Sequence, residues 1–296
     1  MKRILPVIVI SQFFCTSLWF AGNAIMGDLL QQFHVGSEYV AHPASAVQLG
    51  FIVGTLVFAI LSIADRFSPS KVFLFSAIIA AIINLGVVIN GIDMQELVVL
   101  RFFTGFFLAG IYPVGMKIAA DHYKEGLGRS LGWLVGALVL GTAFPHLLKG
   151  VVIKLPWAYV IYATSLLAAV GGLAIYLLVP DGPYRKQGKQ LSLLAFARGF
   201  RNKGFRAAAL GYFGHMWELY AFWVFVPVIL TTYKVHYTTA NFNVPLLSFF
   251  IIASGSVACV LGGLLSQRLG VKRVAMLALA LSCVCCMVSP YAYASA

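Results

Sequence analysis

"ADRFSPSK" at residues 64–71 and "SQRLGVKR" at residues 266–273 are two short basic connections, each set between long apolar runs. Each holds an Arg followed a few residues later by a Lys. Superposing Arg66 on Arg268 gives an offset of 202 residues, and the same offset lays the first apolar run on the seventh. A repeat of this kind is the first thing to seek in a chain, because it organises everything around it. Here it points to two related halves.

Working outward from these loops, the composition sets the solvent. Of 296 residues 61% are hydrophobic and 10% charged, with a mean hydropathy of +0.92. A water-soluble domain carries about 25% charged residues, so a soluble protein is excluded. Apolar runs of roughly 20 residues recur along the chain, each long enough to cross a hydrocarbon core of ~30 Å as a helix. Membrane strands would show short alternating segments, which are missing here. The fold class is therefore an all-α polytopic membrane protein. Spans are expected at about 4–30, 45–63, 72–90, 95–119, 128–148, 156–179, 207–231, 244–265 and 273–293.

The net charge of +12 reflects topology rather than nucleic acid, because basic residues gather in cytoplasmic loops. With the N-terminus inside, one set of connections carries seventeen of the 21 basic residues and the other only Lys149, Lys154 and Lys234, with Arg101 left inside a span. Nine crossings then leave the C-terminus on the outer side of a plasma membrane, with a bacterial inner membrane as the expected setting. "MKRILPVIVISQFF" resembles a signal peptide, but its apolar run continues to Leu30, beyond the length of a signal core. It is expected to remain as the first helix. The polar stretch 181–206 divides six spans (1–180) from three (207–296). Within it "LSLLAFARGF" is either an amphipathic helix on the inner leaflet or a solvated linker.

Neither the five cysteines nor the six scattered histidines show metal-ligand spacing, so no metal or cofactor is expected. No "H-E-x-x-H" and no "G-x-x-x-x-G-K-S/T" occurs, which argues against an intramembrane metalloenzyme and a self-contained ATP-driven pump. Polar side chains at membrane depth face the bundle interior or a water-filled cavity. In the first span Gln12, Thr16, Trp19 and Asn23 fall on one helical face. In the fourth, Arg101 and Tyr112 lie eleven residues apart and share a face. In the seventh, "GYFGHMWELYAFW" (211–223) places His215 and Glu218 one turn apart. An acid at the centre of an inserted helix costs about 2.5–3.5 kcal/mol, which a Gln would largely avoid. The expected return is proton relay by Glu218 with His215, and Arg101 is a further candidate. Small residues let helices approach closely in lipid. Gly132, Gly136 and Ala143 form such a face on the fifth span, as do Gly255, Cys259, Gly262 and Ser266 on the eighth.

These features together resemble the major facilitator superfamily of secondary transporters, with its two six-helix halves and a "G-x-x-x-D-R-x-G-R-R"-like loop between helices two and three, echoed between eight and nine. The first copy keeps Asp65 and Arg66, with Leu61 and Ser68 where the family favours Gly. The second keeps Gly263, Gly270, Lys272 and Arg273, with Gln267 for the acid. A second pattern, "L-x-x-x-R-x-x-Q-G", is matched by Leu97, Arg101 and Gly105, with Thr104 for Gln. In the fifth span Gly141 and Pro145 stand apart where the antiporter signature has them adjacent. The resemblance implies a complete N-terminal six-helix bundle and a partial C-terminal bundle of three helices. It also implies alternating access, with Asp65, Arg66, Lys71, Arg268, Lys272 and Arg273 as conformational-loop residues. The fifth and eighth helices would meet between the halves, as a rocking surface or as static packing. The expected function is secondary active transport of a small solute, proton-coupled, by a monomer that contacts membrane lipid and no nucleic acid. The alternative is a transport-incompetent truncated protein, or a sensor or partner protein. A 202-residue repeat implies about 400 residues for two halves, so the chain is expected to be truncated after the ninth helix.

Overall fold

The computed structural model describes residues 4–123, 126–151, 156–185, 198–237 and 239–295. Lys2, Arg3, Lys124, Lys154, Lys186, Lys189 and most of "LSLLAFARGF" lie outside them. Among the described residues eight helices are long and apolar enough to cross a membrane, and a shorter apolar helix, Ile4–Thr16, precedes them.

The expected first span is not one helix. It is three pieces: α1 (Ile4–Thr16), α2 (Ala21–Ala24) and α3 (Met26–Phe33). The Thr16 hydroxyl donates to the Gln12 carbonyl at 2.8 Å and the Ser17 hydroxyl to that of Phe14 at 2.6 Å. Such back-bonding competes with the backbone ladder and bends helices. The next amides tighten accordingly, with the Trp19 N–H donating to the Thr16 carbonyl at 3.0 Å.

The second span is α4 (Ala41–Ile60), and a single turn, α5 (Ile63–Arg66), leads to α6 (Pro69–Leu85). Pro69 opens α6, where its missing N–H is no loss. The fourth span begins with a capping box: Asp93 Oδ1 accepts the Glu96 N–H at 2.7 Å, and the Asp93 N–H donates to Glu96 Oε2 at 3.0 Å. It too is interrupted, into α7 (Met94–Leu108) and α8 (Tyr112–His122). Pro113 supplies no N–H, and Gly110 leaves room for the Ser76 and Phe58 side chains at the break. Arg101 and Tyr112 therefore do not share one continuous helical face.

Then follow α9 (Leu127–Val151), α10 (Ala158–Leu178), α11 (Lys203–His236), α12 (Val244–Leu269) and α13 (Val271–Ser295). The seventh span is longer than expected, since α11 takes residues 203–206 from the basic stretch. It starts where the Asn202 side chain accepts the Gly204 and Phe205 N–H groups.

Packing is densest in pairs: α9 with α12, α4 with α7, and α6 with α10, with α1 lodged between α9 and α10. The α9–α12 seam runs from Gly128 beside Ser266 to Gly150 beside Leu246, where Asn243 Nδ2 also donates to the Gly150 carbonyl at 2.9 Å. A Cβ at Gly132 would stand 3.1 Å from the Gly263 Cα and 3.2 Å from the Cys259 carbonyl, and one at Gly136 3.1 Å from the Ser256 carbonyl. The seam on α12 thus takes in Gly255, which meets Val139 of α9, together with Ser256, Cys259, Gly263 and Ser266; of the expected face only Gly262 turns away, toward Val274 on α13.

Candidate functional site

The break in the first span frees backbone carbonyls inside the bundle, and Arg101 answers them. Its side chain is fully buried. One terminal nitrogen donates to the carbonyls of Leu18 at 3.0 Å and Trp19 at 2.5 Å, the other to Asn84 Oδ1 at 3.1 Å. Asn84 passes the chain on, its amide donating to Ser165 Oγ at 2.9 Å and Thr164 Oγ1 at 3.3 Å. Non-helical backbone at membrane depth is tolerated only where such partners satisfy it. Four spans meet through this one cation.

The polar face expected on the first span is divided by the break. Gln12, Thr16 and Trp19 are buried, as is Asn23 at its margin. Thr16 leans on Gly141 of α9, where a Cβ would overlap its hydroxyl. Gln12 points the other way, its Oε1 in the space beside Gly115 of α8. Neither polar atom of the Gln12 amide has a partner. Trp19 donates its indole N–H to Gln48 Oε1 at 3.2 Å. Its ring lies 4.6 Å from that of Phe51 and stacks on Tyr220 of α11 at 5.7 Å with 22° between planes. Trp223 adds edge contacts to Phe20 at 5.9 Å and to Tyr220 at 5.7 Å. Tyr112 and Tyr220 both pack, partly buried, against the core cluster that contains Trp19. Neither Tyr220 nor Gln48 was selected from sequence, although Gln48 is a polar side chain within an apolar span and was the signal available.

Glu218 and His215 sit together on α11, with His215 Nδ1 and Glu218 Oε2 3.6 Å apart. Ser282 of α13 donates its hydroxyl to Glu218 Oε1, and Cys286 stands 3.5 Å from the same oxygen. Arg101 finds its partners elsewhere and does not join them.

At the end of the bundle that carries residues 64–71, Lys117 lies 2.9 Å from Asp65 and 3.6 Å from Asp121. Arg185 pairs with Asp181 at 2.5 Å and donates to the carbonyls of Phe67 at 2.8 Å and Asp65 at 3.4 Å. The Ser68 hydroxyl donates to Asp181 Oδ1 at 2.7 Å. Asp65 is thereby engaged with α8 and with the segment following α10. Arg66, Lys71, Arg268, Lys272 and Arg273 are exposed. At the opposite end Lys149 pairs with Asp28 at 2.7 Å. Among the described residues no three His, Cys, Asp or Glu side chains are grouped so as to hold a metal ion.

Comparison with known proteins places this arrangement. The family model described as Major Facilitator Superfamily matches residues 8–295. Three fungal relatives align with about half of the chain. The "Multidrug transporter FLR2" of Candida glabrata is 24% identical over 156 residues, covering 52% of this chain and 26% of its own length. The "Ascochitine biosynthesis cluster MFS transporter" of Didymella fabae is 28% identical over 162 residues, 53% of this chain and 31% of its own length. The "Citrinin biosynthesis cluster MFS transporter mrr1" of Monascus ruber is 25% identical over 164 residues, 54% and 32%. The chain thus spans less than a third of the length of these curated relatives. With an all-helical, multi-span architecture and a family match over nearly its whole length, the chain belongs to the Major Facilitator Superfamily of membrane transporters.

Proposed function

We propose that this chain acts as a secondary active transporter of a small organic solute, coupled to protons, alternating access between a six-helix bundle (1–180) and the helices after the basic linker (181–206 and 207–296). The working unit is a monomer in a plasma membrane, with the N-terminus and the basic loops on the cytoplasmic side. The relatives' names, with their drugs and biosynthesis clusters, favour an organic solute.

The observation that carries the reading is the double role of α11. It stacks Tyr220 on Trp19 of the broken first span, and two residues earlier it bears the Glu218–His215 pair. Broken helices with exposed backbone are where transporters of several folds hold substrates and ions. A proton taken by the pair is thereby close, along one rigid helix, to the rings that would meet a solute. The test is Glu218→Gln in the full chain reconstituted in liposomes. Uptake driven by a pH gradient should be abolished, while solute exchange without net proton movement survives. Gradient-driven uptake with unchanged pH dependence in that variant would make Glu218 structural.

A further inference from the structure

Acids are divided unevenly at the end of the molecule that carries the basic loops. In the first half Lys117 pairs with Asp65 and Asp121, and Arg185 pairs with Asp181. From residue 182 onward the chain holds a single acid, Glu218, and it lies well inside α11. Around the start of that helix stand Arg198, Arg201, Lys203 and Arg206, all exposed. Arg268, Lys272 and Arg273, exposed as well, flank the turn from α12 to α13. None of these seven cations forms an ion pair among the described residues.

Both groups stand at one depth. Glu218 accepts from Ser282, which ties α11 to α13. Arg206 comes twelve residues before Glu218, and Gly270 twelve before Ser282. At 1.5 Å per residue each group is about 18 Å from that contact along its helix. The contact lies near the middle of α11, and half of a hydrocarbon core is about 15 Å. The cations therefore reach the level of the lipid phosphates. Gly270, at φ 82°, turns the chain within one residue, which keeps Arg268 and Lys272 together. The start of α11 is also shaped. The Arg201 and Asn202 N–H groups donate to the carbonyls of Arg198 and Gly199 at 3.0 and 2.9 Å. Phe200 and Phe205 meet edge-on at 5.2 Å, beside Gly199, where a Cβ would stand 3.2 Å from the Phe205 ring. Phenylalanine among cations is the pattern of a segment that lies at a lipid surface.

We propose that the turn at 198–206 and the α12–α13 turn together form a docking surface for anionic phospholipid headgroups of the inner leaflet. The lipid phosphates supply the counter-charge that the second half lacks, and the acyl boundary takes the Phe200 and Phe205 rings. A nucleic acid or an acidic protein would meet the charges from the water and leave those rings wet. Only the side of the membrane is borrowed from the transporter reading given above.

The full chain is purified in mixed micelles of phosphatidylglycerol and phosphatidylcholine in equal amounts, with matched acyl chains, and the lipid it retains is counted by mass spectrometry. Phosphatidylglycerol should be enriched about fivefold or more, the factor expected from even one Lys or Arg at an anionic surface. Arg201→Gln, Lys203→Gln and Arg206→Gln combined should remove most of the enrichment. Arg268→Gln, Lys272→Gln and Arg273→Gln combined should do the same, and either set decides should the other fail to fold. Arg66→Gln, Lys71→Gln and Arg129→Gln take three exposed cations from the same end of the first half and should leave the enrichment intact. Inorganic phosphate replacing chloride at equal ionic strength should not displace the lipid. Equal retention of both lipids by the unaltered chain, an equal loss in the first-half set, or enrichment unchanged in the second-half sets would overturn the proposal. Displacement by phosphate would overturn it too, by making the site one for a free anion. Retention needs no transport, so its failure leaves the transporter reading standing, and enrichment without solute uptake in liposomes would refute that reading alone.

Discussion

Replacing Arg101 by Leu should destabilise the bundle by roughly 2–5 kcal/mol, and the size follows from its three terminal-nitrogen bonds. Interhelical hydrogen bonds in membrane proteins are worth about 0.6–1.7 kcal/mol each. Arg101 makes one to Asn84 and two to the carbonyls of Leu18 and Trp19. Those carbonyls belong to the unwound residues between α1 and α2 and cannot find helical partners. The opposing term is relief from burying a cation, which can make removal of a buried charge neutral when apolar groups replace every partner. Here the partners are backbone and remain, so the loss should dominate. Arg101→Lys should recover part of the stability, because an ammonium is a point donor without the planar fork. Reversible unfolding of the detergent-solubilised chain by a denaturing detergent, followed by circular dichroism, measures both variants. Arg101→Leu unfolding within about 0.5 kcal/mol of the unaltered chain, the usual range for a surface substitution, would refute the idea that the cation holds the break.

Gly132→Val should cost about 1–3 kcal/mol through overpacking against Gly263, whereas Gly262→Val, looking toward Val274 at 4.0 Å, should be near neutral in the same unfolding assay. The reverse order would put Gly262 rather than Gly263 against α9. Asp65→Asn breaks a half-exposed pair with Lys117 and should cost under about 1 kcal/mol, a difference that vanishes at high salt. Arg185→Ala removes bonds to Phe67, Asp65 and Asp181 together. It should speed amide exchange across residues 62–68, and unchanged protection there would show that the loop holds itself.

Much of this architecture was legible because lipid allows so few answers: long apolar runs must be helices, and the basic loops punctuate them. The interruption at residues 17–20 was not, since Gln12, Thr16, Trp19 and Asn23 keep a helical spacing straight through it. Its clue was the adjacent pair Thr16–Ser17, whose hydroxyls turn back on the preceding carbonyls. The break before Tyr112 had a plainer sign in Gly110 and Pro113. The α9–α12 face was legible at Gly255, Cys259 and Ser266 but not at Gly262, because Gly262 and Gly263 are neighbours and composition alone does not say which one faces α9. Sequence singled out Asp65 through the loop pattern it shares with the family, but Lys117, Asp121 and Arg185 gather around it only through folding. Arg101 stood out as the basic residue left inside a span, yet nothing local revealed that its partners would include main-chain carbonyls 82 and 83 residues away.

The length of α11 has a mechanical meaning. Its 34 residues give a rod of about 51 Å at 1.5 Å per residue, against a hydrocarbon core of about 30 Å. Tyr220, the residue that touches Trp19, stands seventeen residues from one end and sixteen from the other. A lever supported at its midpoint moves least where it is held. A rigid tilt of about 10°, small beside the usual spread of membrane-helix tilts, would carry each tip about 4 Å in opposite directions while the stacked rings barely part. On the alternating-access reading proposed above, the Trp19–Tyr220 contact would serve as a fulcrum, one end of the rod opening as the other closes, with the load on two aromatic faces.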